Sequence, residues 1–177
     1  MMEVHHPFDE IPPGRLRVWF RPLLGVTVVV GAALLLLDPG GDGIVGLEVA
    51  GSVAAAREVM AVWDDRDVIH AAFGVGLDYL FLLAYSSTIA LACIWGRRVF
   101  RHAWLVSLGG ALAWAAWVGG ALDAVENIAL LDMLRGPVES PAPQVAAICA
   151  YLKFVLVYAG VIYALGAALT RLARRAP

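Results

Sequence analysis

Four long apolar blocks govern what this chain can fold into. They run from about 19 to 37, 71 to 95, 103 to 134 and 141 to 170. The hydrocarbon core of a bilayer is about 30 Å thick, and roughly 20 helical residues cross it. Inside it each backbone N–H and C=O must be paired within its own segment or barrel, so each block is expected to be a transmembrane α-helix. Only 16% of residues are charged, against about 25% in soluble domains. The expected fold class is an all-α integral membrane protein, a four-transmembrane-helix bundle forming a single membrane domain over residues 1–177.

The first block follows Arg15, Arg17 and Arg21, as the apolar core of a signal peptide would. It ends at Leu37-Asp38-Pro39 without a small-residue cleavage site, and is therefore expected to be an uncleaved span. Residues 1–14 are polar and proline-bearing, expected as a loose tail touching the interface at Phe8 and Ile11, with His5 and His6 solvated. The run Asp38-Pro39-Gly40-Gly41-Asp42-Gly43 breaks the helix. Residues 44–67 then show a helical period in Ile44, Leu47, Ala50, Ala54 and Val59, interrupted by Glu48, Arg57 and Glu58. An amphipathic, extracytoplasmic helical segment is expected there, breaking at Gly51-Ser52 with Ser52 opening a second half. Asp64-Asp65-Arg66-Asp67 lacks the glycine and distal glutamate of a calcium loop and is expected to be a solvated turn. Gly136-Pro137 ends span 3, and Ser140 with Pro141 is the expected start of span 4.

Orientation is carried by the basic residues. Of the 13 Lys and Arg, nine flank one side (15, 17, 21, 97, 98, 101, 171, 174 and 175) and three the other (57, 66 and 135). Cytoplasmic loops hold the excess of Lys and Arg, which places both termini in the cytoplasm of a cell whose inner (plasma) membrane holds the protein.

Against this apolar background the polar residues within the spans stand out. Asp123, Glu126 and Asn127 lie at i, i+3 and i+4 of span 3, on the face that also carries Ala116, Gly119 and Gly120. Small residues let another helix approach, so this face is expected to point into protein. Asp78 sits in span 2 on a face shared with Gly74, Phe81, Leu82 and Tyr85, and Lys153 sits in span 4. Counted from the extracytoplasmic ends at about 1.5 Å per residue, Asp78, Asp123, Glu126 and Lys153 all fall roughly 10–18 Å deep. They are expected to meet in one buried network, with Asn127, Tyr79, Tyr85 and Tyr151 as neutral hydrogen-bond partners. Three acids and one Lys would carry a charge of about -2 in low dielectric, so a carboxyl keeps its proton, a cation enters, or water does.

The ligand-binding candidates are therefore Asp78, Asp123, Glu126, Asn127, Lys153 and Tyr85, for a cation, a proton or a small polar ligand. Ionisable groups within a membrane are functional candidates by default. The alternative is a structural or accessory subunit in which the network only locks the bundle; a third reading is an enzyme acting on a lipid or amphiphile. No cofactor or metal is expected: none of the four His lies mid-span, and Cys93 and Cys149 form no C-x-x-C pair. The expected partners are the lipid bilayer, the small ligand, and a second membrane protein or a second copy of this chain. The net charge of -2 gives no basic surplus for nucleic acid.

Overall fold

The computed structural model describes residues 5–174; Arg175, one of the basic residues counted above, lies outside them. All regular structure in this range is helical. Four helices are long and apolar enough to cross a membrane: α1 (Pro13–Leu36), α4 (Asp65–Arg97), α5 (Ala103–Arg135) and α6 (Ala142–Ala173). Together they fit the expected four-helix membrane bundle. Two short helices, α2 (Gly43–Val49) and α3 (Val53–Met60), lie between α1 and α4. Helices α4 and α5 have 33 residues each. At about 1.5 Å per residue each is roughly 50 Å long, more than the hydrocarbon core of about 30 Å.

The chain forms two compact units. The first takes the chain up to Thr27, Ala84–Gly120 and the segment from Phe154; the second takes Val28–Leu83 and Ala121–Lys153. In the first unit α6 approaches α4 closely at Gly160, where a Cβ would fall 2.6 Å from Ile89 Cγ2. The Cys93 thiol donates to the Gly160 carbonyl at 3.5 Å, a contact that only a small residue permits. Trp95 of α4 carries the guanidinium of Arg17 at 5.9 Å and that of Arg171 at 5.4 Å from its ring centroid. Such cation–π contacts hold basic side chains against the aromatic belt of a membrane protein.

The N-terminal segment departs from its expected looseness. Residues Pro7–Glu10 form a single 3₁₀ turn capped by His6, whose Nδ1 accepts from Phe8 N at 3.1 Å. His6 is fully buried among Phe8, Trp114 and Trp117, with ring centroids 4.5–5.0 Å away. Burial lowers its pKa from 6.5, against the opposing pull of Asp9. Asp9 in turn accepts two hydrogen bonds from Arg97 at 2.8 and 2.9 Å. The tail is docked through this aromatic packing and through the Asp9–Arg97 ion pair.

In the second unit the two short helices lie over one apolar cluster. Leu47 of α2, Ala56 of α3, Ala71 and Val75 of α4, Leu130 and Met133 of α5, and Ala146 of α6 are its members, with Trp63. The Trp63 indole also donates to the Gly40 carbonyl at 3.0 Å. The expected break between α2 and α3 falls at Gly51, whose φ is +67°. That conformation suits a residue without Cβ. Ser52 then caps α3, its hydroxyl accepting from Ala55 N at 3.2 Å, as a serine at that position commonly does.

The structure corrects two expected helix starts. Asp64–Asp67 is no free turn: Asp64 Oδ1 accepts from Asp67 N at 2.9 Å and Asp67 Oδ2 from Asp64 N at 3.1 Å. This reciprocal cap starts α4 at Asp65, ahead of the apolar block. Ser140 does not cap α6 either; the helix begins at Ala142, after a turn in which Ala142 N donates to Glu139 O.

Gly160→Val tests the α4–α6 contact. A β-branched side chain forced against Ile89 should cost about 1–3 kcal/mol by overpacking, read as a lower melting temperature in detergent. A melting temperature equal to wild type would mean that the helices do not approach closely there.

Candidate functional site

Helical phase decides which side chains of α5 turn inward. Ala113, Ala116, Gly119, Gly120, Asp123, Glu126, Asn127 and Leu130 are buried, while Val118, Val125 and Ile128 are 46–63% exposed. The exposed set is apolar, as a lipid-facing stripe must be. The acids are thus carried inward by the same periodicity that turns the valines outward.

Lys153 of α6 meets them. Its Nζ donates to Asp123 Oδ1 and to Glu126 Oε1, each at 2.8 Å. Residue exposures are 7% for Lys153, 3% for Asp123 and zero for Glu126. Charge-assisted bonds of this length, shielded from water, are among the strong ones. Beside them the amide of Asn127 donates to Asp78 Oδ2 at 2.7 Å, joining α5 to α4. The Tyr79 hydroxyl donates to the Ala124 carbonyl at 3.3 Å.

The structure adds one member. Glu48, on α2, reaches to 3.8 Å from Lys153 Nζ, the nitrogen that also lies 2.8 Å from Glu126 Oε1. Burial raises the pKa of Glu48 above its ordinary 4.5; Lys153 opposes that rise, while Asp123 and Asp38 add to it. In the sequence Glu48 reads only as an interruption in an amphipathic helix. The available signal is its position four residues after Ile44 and next to Leu47, on the face of α2 that turns inward.

Of the expected site residues, Asp123, Glu126 and Lys153 thus come together directly, with Asp78 and Asn127 paired alongside. Tyr85 is buried but belongs to the first unit, whereas the residues around Lys153 belong to the second. Tyr151 is 59% exposed. Among the described residues no three His, Cys, Asp or Glu side chains gather as a metal-holding set.

Around one ammonium stand three carboxyls, with a fourth, Asp78, in electrostatic reach of Asp123, Lys153 and Glu48. Glu126 Oε2 is buried without a hydrogen-bond partner. An ionised oxygen in that position is costly, and a proton or a cation relieves the cost. The Lys153 bonds also fasten α6 to α5. The chain matches no protein-family model, no curated protein and no solved structure.

Lys153→Met should destabilise the protein by about 3–5 kcal/mol, because its partners are left as uncompensated buried charges. Adding Asp123→Asn or Glu126→Gln should restore much of that loss. A double-mutant cycle by thermal melting reads the coupling directly; purely additive effects would contradict the ion pairs.

Proposed function

We propose that this is a multi-pass protein of the inner (plasma) membrane, with both termini in the cytoplasm. Its buried network of Glu48, Asp78, Asp123, Glu126, Asn127 and Lys153 binds a cation, a proton or a small polar ligand reached from the extracytoplasmic side. The observation that carries this reading is the charge imbalance around Glu126: one ammonium serves three carboxyls, and one oxygen of a fully buried carboxyl has no donor. A network built only to hold helices together needs neither a surplus of acids nor a bare oxygen. Access from the extracytoplasmic side is supported by Glu48, whose side chain is 13% exposed and stands on the short α2 outside the spans.

A second reading is favoured by one observation. The Lys153 bonds cross-link α6 to α5, and the Asn127–Asp78 bond cross-links α5 to α4. Polar side chains in hydrocarbon serve such locking roles, so a structural or accessory subunit is the competing account.

Melting in detergent across pH and across added monovalent and divalent cations separates the two. A ligand that binds only the folded state stabilises it by about 2.7 kcal/mol at 100 times its Kd. A working site predicts a melting temperature that responds to pH or to one cation, with the response abolished in Glu126→Gln. An unresponsive wild type supports the lock. Orientation is tested by single cysteines and a membrane-impermeant reagent. A cysteine at Gly40, which is exposed with open space beside it, should react in intact cells, and one at Arg98 should not. The reverse pattern would overturn the topology.

A further inference from the structure

We propose that Glu48 and Glu126 together bind a single proton, and that this shared proton seats helix α2 over α5 and α6. The inference rests on the reading of the network as an ion site and names its ligand.

Three observations carry it. First, Glu48 Oε2 and Glu126 Oε1 stand 3.8 and 2.8 Å from the same ammonium nitrogen, that of Lys153. Ionised carboxylates only accept, so a hydrogen bond between two of them requires one proton. Second, Glu126 is fully buried, and its Oε2 has no hydrogen-bond partner although its Oε1 receives Lys153. The deprotonated cluster lacks a donor that a proton on the pair supplies. Third, Lys153 cannot neutralise both glutamates. Its Nζ lies 2.8 Å from both Asp123 Oδ1 and Glu126 Oε1, with Glu48 Oε2 at 3.8 Å, so one positive charge faces three carboxyls.

The groups facing Glu48 set the direction of the response. They are Asp38 from the loop before α2, Asp123 and Glu126 from α5, and Lys153 from α6, with Asp78 of α4 in electrostatic reach. Four of these five are acids. When the proton leaves, the pair gains a negative charge in a setting already short of positive ones, and two adjacent carboxylates repel. Glu48 is the cluster member outside the spans, so the strain is relieved by movement of α2. Burial raises the Glu48 pKa above 4.5 when α2 is seated. A raised carboxyl pKa means that the seated state holds the proton more tightly than the open one. Its contribution is therefore complete below about the ordinary value and is lost as pH rises through the raised value.

Two measurements on the full-length protein in lipid test this. Infrared spectra near neutral pH should show a protonated-carboxyl stretch that disappears in both Glu48→Gln and Glu126→Gln and persists in Asp132→Asn, an exposed acid of α5. Hydrogen exchange over Gly43–Val49, corrected for the intrinsic pH dependence, should accelerate several-fold as pH is raised in the wild type. In Glu48→Gln the amide is a permanent donor to Glu126, and the protection should become independent of pH. A band that survives both glutamine variants, or α2 protection that ignores pH in the wild type, overturns the proposal. The wild-type exchange experiment decides even where Glu126→Gln fails to fold. Proton uptake by proteoliposomes is read alongside: its absence, with the band and the α2 response as expected, removes the working-site reading and leaves the shared proton standing.

Discussion

The second unit is built around the burial of one ammonium. Lys153 is carried mid-helix into an apolar interior, where an unpaired cation is not tolerated. That single requirement fixes the phase of α5, because only the face with Asp123 and Glu126 supplies two carboxyl oxygens at 2.8 Å. Once α5 is so turned, Asn127 faces α4 and meets Asp78, and the apolar Val118, Val125 and Ile128 are left for lipid. Three carboxyls stand around this one ammonium, more than it neutralises.

The short helices complete this arrangement from the side. Their apolar residues Leu47 and Ala56 join the cluster formed by α4, α5 and α6, so hydrophobic burial contributes to holding α2. Glu48 follows Leu47 directly, and the packing that buries Leu47 brings the Glu48 carboxyl to the ion cluster. An acid is placed against other acids because its apolar neighbour is driven inward. Hydrophobic seating and electrostatic opposition thus act on one and the same seven-residue helix.

Much of this is legible in the sequence, for identifiable reasons. The four spans follow from length and apolarity alone, since lipid permits few alternatives. Asp123, Glu126 and Lys153 are recognisable as one group because helical rise converts sequence position into depth. Glu48 is not, because depth counting applies only within spans and its helix lies between them. His6 escapes for a related reason: a docked tail has no periodicity, and its burial depends on Trp114 and Trp117, far away in sequence. The apolar block places the start of α4 too late, because the reciprocal Asp64–Asp67 cap resembles a polar turn until its backbone bonds are seen. Tyr85 shares a helical face with Asp78 and is buried, and it belongs to the first unit.

The pairing of Lys153 is the claim on which the rest stands, and it is open to direct measurement in lipid. Magic-angle-spinning NMR with 15N-labelled lysine and 13C-labelled aspartate and glutamate reports the through-space coupling of an ammonium nitrogen to carboxyl carbons. Lys153 is the chain's single lysine, so its Nζ signal needs no assignment by mutation. The account predicts strong couplings from that nitrogen to one aspartate and one glutamate carboxyl, lost one at a time in Asp123→Asn and Glu126→Gln, with a weaker coupling to Glu48. A Lys153 nitrogen coupled to neither Asp123 nor Glu126 would contradict the buried network.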